Sequence, residues 1–205
     1  MKLAIFGTGG MGRELADIVV RSPRLRARYA EIVFTTDTPG DPVQGIRVVH
    51  PDTLGPEDEL SLALGSSQTR RTLAERFAGR RFATIISDHA IVAPSAQIGE
   101  GAMVCDFAVV NNAAVVGRHF LANVYAQLSH DALVGDYVTF APRTTCCGWV
   151  GIDDDVSVGA AAVIRNGTSG RRLQIGQGAT IGMGSVVLRD VPAGRTTFGT
   201  GLRPA

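Results

Sequence analysis

The chain has 205 residues, a net charge of +1 at pH 7 and 45% hydrophobic residues. A nearly neutral chain offers no electrostatic attraction to nucleic acid or to an anionic membrane, so neither is expected as a partner. No apolar run approaches the roughly 20 residues that cross a bilayer, and the N-terminus lacks the layout of a secretion signal. Three cysteines, Cys105, Cys146 and Cys147, do not make a disulfide framework. The sequence therefore predicts a cytoplasmic globular protein.

The first 85 residues alternate short apolar strands with helices. Strands are predicted over residues 3–6, 31–35, 60–64 and 83–86, and helices over residues 13–21 and 68–77. A strand, a glycine-rich loop, a helix and a second strand make the βαβ unit of a Rossmann-like fold. Residues 1–85 are therefore predicted to form a Rossmann-like α/β domain.

The glycine-rich loop after the first strand contains four glycines and one methionine: Gly7, Gly9, Gly10, Met11 and Gly12. Backbone N–H groups in such a loop can approach a phosphate at a helix N-terminus. Asp37 and Ser66 follow later strands at the same carboxyl edge, where ligands bind in open sheets. The domain is too small for a full dinucleotide fold, which favours a mononucleotide or nucleotide-sugar over the nicotinamide cofactor of a dehydrogenase. A tight turn without a ligand is the alternative.

From residue 86 to residue 169 the sequence repeats every six residues. The first position of each hexad is apolar: Ile86, Val92, Ile98, Val104, Val110, Val116, Ala122, Leu128, Val134, Phe140, Cys146, Ile152, Val158 and Ile164. This period indicates a β-solenoid, in which three hexads close a triangular coil and the first and fifth positions fill its interior. Second-position glycines, such as Gly99 and Gly117, are expected to supply positive φ at the corners. Residues 86–205 are therefore predicted to form an all-β parallel β-helix.

One interruption breaks the repeat. After Ile164 the hexads resume at Ile175. Residues 166–172 are therefore predicted to form a loop that leaves one corner, and such loops often carry binding contacts.

His130 has the setting of a catalytic base. It occupies a third hexad position, where the side chain points outward, and Asp131 follows it. A neighbouring carboxylate orients an imidazole and stabilises its charged form. A solvated surface histidine is the alternative.

This combination of domains resembles the sugar O-acyltransferase, sialic acid O-acetyltransferase family of hexapeptide-repeat acyltransferases, which includes the nucleotide-aminosugar N-acetyltransferases. The family's Glu-His-Asp/Glu-Cys segment corresponds to residues 129–132, where His130 and Asp131 match. Its Cys/Ala-Gly-Asn-Val segment corresponds to residues 147–150, with Trp149 in place of Asn. Its Gly-x-Gly-Gly-His-Gly-Arg-Glu segment corresponds to residues 7–14, with Met11 in place of His. Residues 198–204 depart from the family's Gly-x-Pro-Ala ending.

The resemblance implies a left-handed β-helix and direct acetyl transfer from acetyl-CoA to a nucleotide-linked amino sugar in cell-surface glycan biosynthesis. The main alternative is O-acetylation of sialic acid or another sugar hydroxyl. His130 is implied as the general base and Asp131 as the group that holds it. The Gly148 N–H is implied as the donor to the thioester oxygen.

The resemblance also implies a homotrimer, with coenzyme A in a groove between two solenoids. Beside Gly148, the implied coenzyme A contacts are Thr139, Ala160, Gly182 and Met183 along the pantetheine arm, and Arg171 and Arg172 at the phosphates. The nucleotide-sugar is implied at the glycine-rich loop.

Three other functions are alternatives to acetyl transfer. The same solenoid carries zinc hydratases, which need three histidine ligands. His119 and His130 are expected in the exposed solenoid, with His89 near its start, but they form no close pair, so no metal is expected. The second alternative is a non-catalytic sugar-binding scaffold. The third is an enzyme in which Cys147 is a reactive nucleophile.

Overall fold

The N-terminal sheet is parallel, and its three central strands are almost wholly buried, as expected for a sheet with helices on its faces. The structure is a computed structural model that describes residues 1–199. The elements of the N-terminal domain are β1 (Lys2–Phe6), α1 (Gly10–Arg21), α2 (Pro23–Arg28), β2 (Glu31–Thr35), β3 (Val48–Val49), a 3-10 turn (Pro51–Thr53), β4 (Glu59–Leu62), α3 (Ser67–Arg76) and β5 (Arg81–Phe82). The strand order is β3-β2-β1-β4-β5.

The sequence predicted most of these elements. Helix α1 begins three residues earlier than expected, inside the glycine-rich loop, and buries Leu15, Ile18 and Val19 along one stripe. Helix α2 and strand β3 were not predicted, because six and two residues are too few to show a hydrophobic period.

The second part of the chain consists of very short strands, one for each hexad. In chain order they are β6 (Ile85–Ile86), β7 (Ile91–Val92), β8 (Gln97–Ile98), β9 (Met103–Val104), β10 (Val109–Val110), β11 (Val115–Val116), β12 (Leu121–Ala122), β13 (Gln127–Leu128), β14 (Leu133–Val134), β15 (Thr139–Phe140), β16 (Thr145–Cys146), β17 (Val150–Ile152), β18 (Ser157–Val158), β19 (Val163–Ile164), β20 (Leu173–Ile175), β21 (Thr180–Ile181), β22 (Val186–Val187) and β23 (Thr196–Thr197).

These strands form the three faces of a prism. Sheet P contains β6, β9, β12, β15, β18, β21 and β23; sheet Q contains β7, β10, β13, β16, β19 and β22; sheet R contains β8, β11, β14, β17 and β20. Every strand pairs in parallel with the strand one coil above or below it. Each coil therefore has three corners, which we call P/Q, Q/R and R/P.

The interior of the prism agrees with the predicted repeat. First-position residues such as Val110 and Phe140 share one buried core with fifth-position residues such as Ala108 and Val138. The predicted loop also forms: residues 165–172 leave the Q/R corner between β19 and β20, and Thr168 and Arg171 close its turn.

The expected role of the second-position glycines is wrong. Positive φ occurs at the fourth hexad position, and ten non-glycine residues adopt it there, including Phe107 and Tyr125, each at 59°. Gly99 lacks a positive φ; instead, a Cβ there would lie 2.5 Å from the backbone of Gly117. The missing side chain therefore lets successive coils stack.

The N-terminal domain covers strands β9, β12 and β15 of sheet P and the adjacent part of the R/P corner. Met103 and Leu121 of sheet P are buried in the cluster that contains helix α1. At the corner, the fully buried Arg70 donates to the carbonyl oxygens of Gly65 (3.1 Å) and Tyr137 (2.8 Å). Burial lowers the pKa of Arg70 to about 10, so the side chain stays charged at neutral pH.

His119 lies in the same contact and is fully buried, which corrects the expectation that it is exposed. Its ring stacks on Tyr137 at 5.0 Å and meets the edge of Phe82 at 4.6 Å. Neither ring nitrogen has a hydrogen-bond partner among residues 1–199. Burial, with the nearby charges of Arg118 and Arg70, lowers the pKa of His119 to about 4.

No helix among the described residues is both long enough and apolar enough to cross a membrane.

We predict that Arg70→Met destabilises the protein by about 3 kcal/mol, because the carbonyl groups that Arg70 satisfies become buried without donors. The free energy of unfolding from urea titration measures this. The matched control is Arg26→Met at an exposed site of α2, expected to change stability by less than about 0.5 kcal/mol. Equal effects of both substitutions would contradict the role of Arg70.

We predict that stability falls as pH drops from about 6.5 to about 4. His119 takes up a proton in the unfolded chain near its ordinary pKa of 6.5 but in the folded chain only near 4. The unfolded state therefore binds more protons in this window, which costs the folded state up to ~3 kcal/mol. His119→Phe should flatten the stability curve there, and Phe107 already shows that phenylalanine adopts this backbone conformation. An unchanged curve would contradict the account.

Candidate functional site

His130 and Asp131 form a hydrogen-bonded pair at the Q/R corner. The corner follows β13, and Asp131 occupies its left-handed position with φ of 57°, which aspartate tolerates better than most residues. Nδ1 of His130 lies 2.8 Å from Oδ2 of Asp131, and the His130 side chain is 49% exposed. The predicted pairing and outward direction therefore both form, and Nε2 is left free to act on a ligand.

Gly148 lies against the His130 ring, one coil above it on the same corner. A Cβ at Gly148 would lie 2.5 Å from Cε1 and 2.7 Å from Nε2 of His130. Only glycine therefore lets the imidazole rest over this backbone. The Gly148 N–H makes no hydrogen bond among the described residues, whereas at the R/P corner the N–H of Arg118 donates to Asp136 at 2.7 Å. The Q/R corner thus offers an unused donor beside an oriented imidazole.

Trp149 and Arg172 extend this site. Trp149 is the single tryptophan of the chain, and its ring stands edge-on to His130 with 6.5 Å between the centroids. The guanidinium carbon of Arg172 lies 5.1 Å from the centroid of the indole. The Gly167 N–H donates to the Gly148 carbonyl at 3.0 Å, so the loop is tied to the corner. Arg171 points elsewhere and pairs with Asp190 at 2.7 Å.

The two adjacent cysteines differ in exposure. Cys146 fills the prism core, and burial raises the pKa of its thiol. Cys147 is partly exposed beside Gly148. A buried thiol of raised pKa is inert, so Cys146 is a packing residue.

The expected coenzyme A contacts fall on two different edges of one chain. Gly148 and Arg172 belong to the Q/R corner, whereas Ala160, Gly182 and Met183 lie on the P/Q corner, where Met183 is 77% exposed. A single chain therefore does not bring these residues together.

Thr139 lies on sheet P, in the contact between the two domains. Its hydroxyl donates to the Gly65 carbonyl at 3.0 Å and accepts from Arg70 at 2.9 Å. These polar contacts hold the loop that precedes α3.

The glycine-rich loop leaves the N-terminus of α1 open. Gly7 has φ of 105°, and a Cβ at Gly12 would collide with the Gly7 carbonyl oxygen. Gly9 and Gly10 have no heavy atom within 4 Å of a built Cβ, so a ligand can approach their backbone. Met11 is partly buried against the hydrophobic cluster under α1.

Asp37 and Ser66 lie at the same edge of the sheet and have partners already. Both oxygens of Asp37 bind Arg76, at 2.7 and 2.8 Å, and this ion pair keeps the pKa of Asp37 below its ordinary value. Ser66 caps α3 by accepting from the Thr69 N–H at 3.2 Å. Arg76 is not predicted from the sequence, because no local pattern indicates an ion pair between residues 39 positions apart.

The histidines do not assemble into a metal site within one chain. His89, His119 and His130 lie at the P/Q, R/P and Q/R corners respectively. Among residues 1–199 no three His, Cys, Asp or Glu side chains are arranged to hold a metal ion. Residues 200–205, part of the departing C-terminal segment, lie outside the described residues.

Comparison with known proteins gives consistent matches. The family model of the PglD N-terminal domain matches residues 2–77. GDP-perosamine N-acetyltransferase of Escherichia coli O157:H7 is 36% identical over 208 residues, which cover 97% of this chain and 94% of that protein.

Two solved structures match nearly the whole chain. WeeI from Acinetobacter baumannii AYE has a TM-score of 0.92 and 30% identity over 99% of both chains. The acetyltransferase domain of PglB from Neisseria gonorrhoeae FA1090, in complex with acetyl coenzyme A, has a TM-score of 0.87 and 31% identity over 95% of this chain and 94% of that one. The resemblance inferred from the sequence is confirmed: the chain belongs to the hexapeptide-repeat acyltransferase family, in the group that carries the PglD N-terminal domain.

Proposed function

We propose that this chain is an acetyl-CoA-dependent N-acetyltransferase that acts on a nucleotide-linked amino sugar for cell-surface glycans. The observation that carries this proposal is the His130 imidazole, which is oriented by Asp131 and packed on the Gly148 backbone. The relative of 36% identity is a GDP-perosamine N-acetyltransferase, and a matching PglB structure contains acetyl coenzyme A. The expected cytoplasmic location stays a prediction.

The two domains divide the substrates between them. Residues 1–85 are a Rossmann-like domain that holds the nucleotide-sugar, and residues 86–205 are a left-handed β-helix that holds acetyl-CoA. The parallel order of the N-terminal sheet supports the first assignment. The match to acetyltransferases along the whole chain supports the second.

His130 acts as the general base. With Nδ1 bonded to Asp131, Nε2 is available to take a proton from the sugar amine as its nitrogen attacks the thioester carbonyl. The tetrahedral intermediate then collapses, the C–S bond breaks, and coenzyme A leaves as a thiolate that accepts the proton. Asp131 holds the ring and stabilises the imidazolium in between. The product is the N-acetylated sugar, and no acyl-enzyme forms.

The Gly148 N–H stabilises the oxygen of the intermediate. A preorganised donor of this kind typically contributes ~3 kcal/mol to the transition state. The Gly148 N–H has no hydrogen-bond partner among the described residues, and Gly148 lies against the His130 ring. Both observations support its role as oxyanion donor.

The site is completed between chains of a homotrimer. The R/P corner is covered by α3, so a ring of three chains pairs the Q/R corner of one chain with the P/Q corner of the next, and sheet Q faces the threefold axis. The outward residues of sheet Q carry no charge: Ile91, Val109, Gln127, Thr145, Val163 and Val186. This pairing brings Gly148 and Arg172 of one chain to Ala160, Gly182 and Met183 of its neighbour.

The nucleotide-sugar is held at the glycine-rich loop. The open N-terminus of α1 at Gly9 and Gly10 accepts its phosphates. Gly7 and Gly12 shape the loop, and Met11 packs beneath it. Asp37, oriented by its ion pair with Arg76, contacts the ribose or base. Ser66 caps the neighbouring helix α3.

Coenzyme A lies along the groove between chains. Arg172, held over Trp149, meets its phosphates, whereas Arg171 is paired with Asp190 and reaches them only if that ion pair opens. Thr139 lies away from this groove, because its hydroxyl is bonded to Gly65 and Arg70 in the contact between the two domains.

We predict turnover of acetyl-CoA with a nucleotide-linked amino sugar such as GDP-perosamine, and a loss of about 10²-fold or more in kcat for His130→Ala. Release of free thiol measures the rate, and circular dichroism checks the fold of the variant. Free sialic acid is the second acceptor. Turnover with sialic acid alone would move the assignment to O-acetylation, and no turnover with either acceptor would contradict acetyl transfer.

We predict that Gly148→Ala lowers kcat by ~10²-fold, because the added methyl group displaces the imidazole from its position beside the N–H donor. The matched control is Gly170→Ala in the loop, where a built Cβ meets no heavy atom within 4 Å, and its kcat should stay within about twofold of wild type. Equal activities of the two variants would argue against the role of Gly148.

A further inference from the structure

An exposed column of stacked side chains follows the P/Q corner, and no element among residues 1–199 covers it. It consists of fourth-position residues from four successive coils, and we call it the P/Q column: His89, Phe107, Tyr125 and Arg143. Phe107 stacks on His89 at 5.6 Å and on Tyr125 at 5.0 Å. The Arg143 guanidinium lies 5.2 Å from the Tyr125 ring centroid. Phe107 and Tyr125 nevertheless remain 49% and 51% exposed.

The equivalent column at the R/P corner shows what such a surface does. There His119 and Tyr137 stack in the same way, and α3 covers them with Arg70 and Arg71. The stacked column at one corner is thus a packing surface within the chain. The P/Q column has the same construction but no covering element among residues 1–199.

The Tyr125 hydroxyl is available for a hydrogen bond. Phe107 covers one side of its ring and Arg143 contacts the ring as well, so the ring edge and hydroxyl remain to face outward. The hydroxyl makes no hydrogen bond within the described residues. Asp131 has a free acceptor: Oδ2 is bonded to His130, and Oδ1 has no hydrogen-bond partner among the described residues.

Tyr125 and Asp131 lie at nearly the same height along the axis of the prism. Neighbouring coils lie about 4.8 Å apart, and each coil has three corners, so the chain climbs only about 1.6 Å from one corner to the next. Asp131 follows Tyr125 by one hexad. In a ring of chains around an axis parallel to the prism, Tyr125 of one chain therefore faces Asp131 of the next.

We propose that the P/Q column of one chain packs on the Q/R corner of its neighbour in the trimer, where the Tyr125 hydroxyl donates a hydrogen bond to Oδ1 of Asp131. This inference rests on the trimeric site of the proposed function. Tyr125 is then a positioning residue: it fixes Asp131, which in turn fixes His130.

Other pairs at matching heights support this packing. One coil below, the bulky Phe107 faces the small, exposed Ala113. One coil above, the Arg143 guanidinium faces Trp149, a favourable cation–π pairing. Large residues therefore meet small ones, and a cation meets an aromatic ring.

A double-mutant cycle tests the hydrogen bond. Tyr125→Phe keeps both stacking contacts and removes only the hydroxyl, so kcat should fall roughly 3- to 10-fold while KM for acetyl-CoA stays unchanged. In an Asp131→Ala background, which removes the acceptor and keeps a residue type that Ala113 and Ala161 show in this backbone conformation, the same substitution should have almost no further effect. Within one chain the two residues lie on different corners, so this coupling requires the neighbour. Tyr137→Phe, whose hydroxyl has no partner among the described residues, is the control and should leave kcat unchanged. Additive effects of the two substitutions would overturn the proposal.

A second measurement does not need activity. Phe107→Cys and Ala113→Cys are combined in a Cys147→Ser background and treated with a short bis-maleimide. Covalent dimers and trimers on a denaturing gel are expected for the combined variant and not for either single cysteine. Monomers alone would overturn the packing, even if acetyl transfer is intact. Cross-linked trimers from a protein that acetylates no sugar would support the packing and refute the proposed function instead.

Discussion

The parallel hydrogen bonding between coils is the constraint on which the rest of the structure depends. Because strands β6 to β19 pair with one another in register at a spacing of eighteen residues, corner positions in these coils recur as vertical columns. His130 and Gly148 are such a pair, since Leu128 pairs with Cys146 directly before them. The proposed base and the proposed oxyanion donor are thus placed by the fold itself. The ring can lie on the backbone above it only because glycine stands there.

The prism also separates its three corners, and the N-terminal domain closes one of them. Arg70 is fully buried and donates to carbonyl groups of both domains, so the closed corner is held by hydrogen bonds between the domains. Of the remaining two corners, one carries His130, the proposed base, and the other carries the exposed Met183 and Tyr125. Division of the site between two free corners is the physical reason to expect that activity depends on assembly.

Sequence periodicity was sufficient for the prism and for the direction of its side chains. The hexads predicted the core residues and the extruded loop, and the resemblance identified His130, Asp131 and Gly148, which the structure brings together. Periodicity failed for backbone conformation, because the fourth-position φ is imposed by the coil and even Trp149 adopts it. It also failed for His119, whose burial depends on a helix about fifty residues away in sequence. Long-range partners such as Arg76 of Asp37 leave no local pattern.

The N-terminal domain packs on sheet P, the face opposite the Q/R corner of its own chain, so we propose that the glycine-rich loop of one chain serves His130 of its neighbour in the trimer. Mixed trimers test this claim most directly. One inactive parent is His130→Ala. The other is Gly9→Asp, which suits the helix cap position, has room for its side chain, and places a negative charge where the phosphates bind. Co-expression of the two variants should restore about one quarter of wild-type activity. In randomly mixed trimers about half of the chains carry an intact His130, and about half of those have a neighbour with an intact glycine-rich loop. Failure of well-formed mixed trimers to regain activity would contradict the account and place the whole site within one chain.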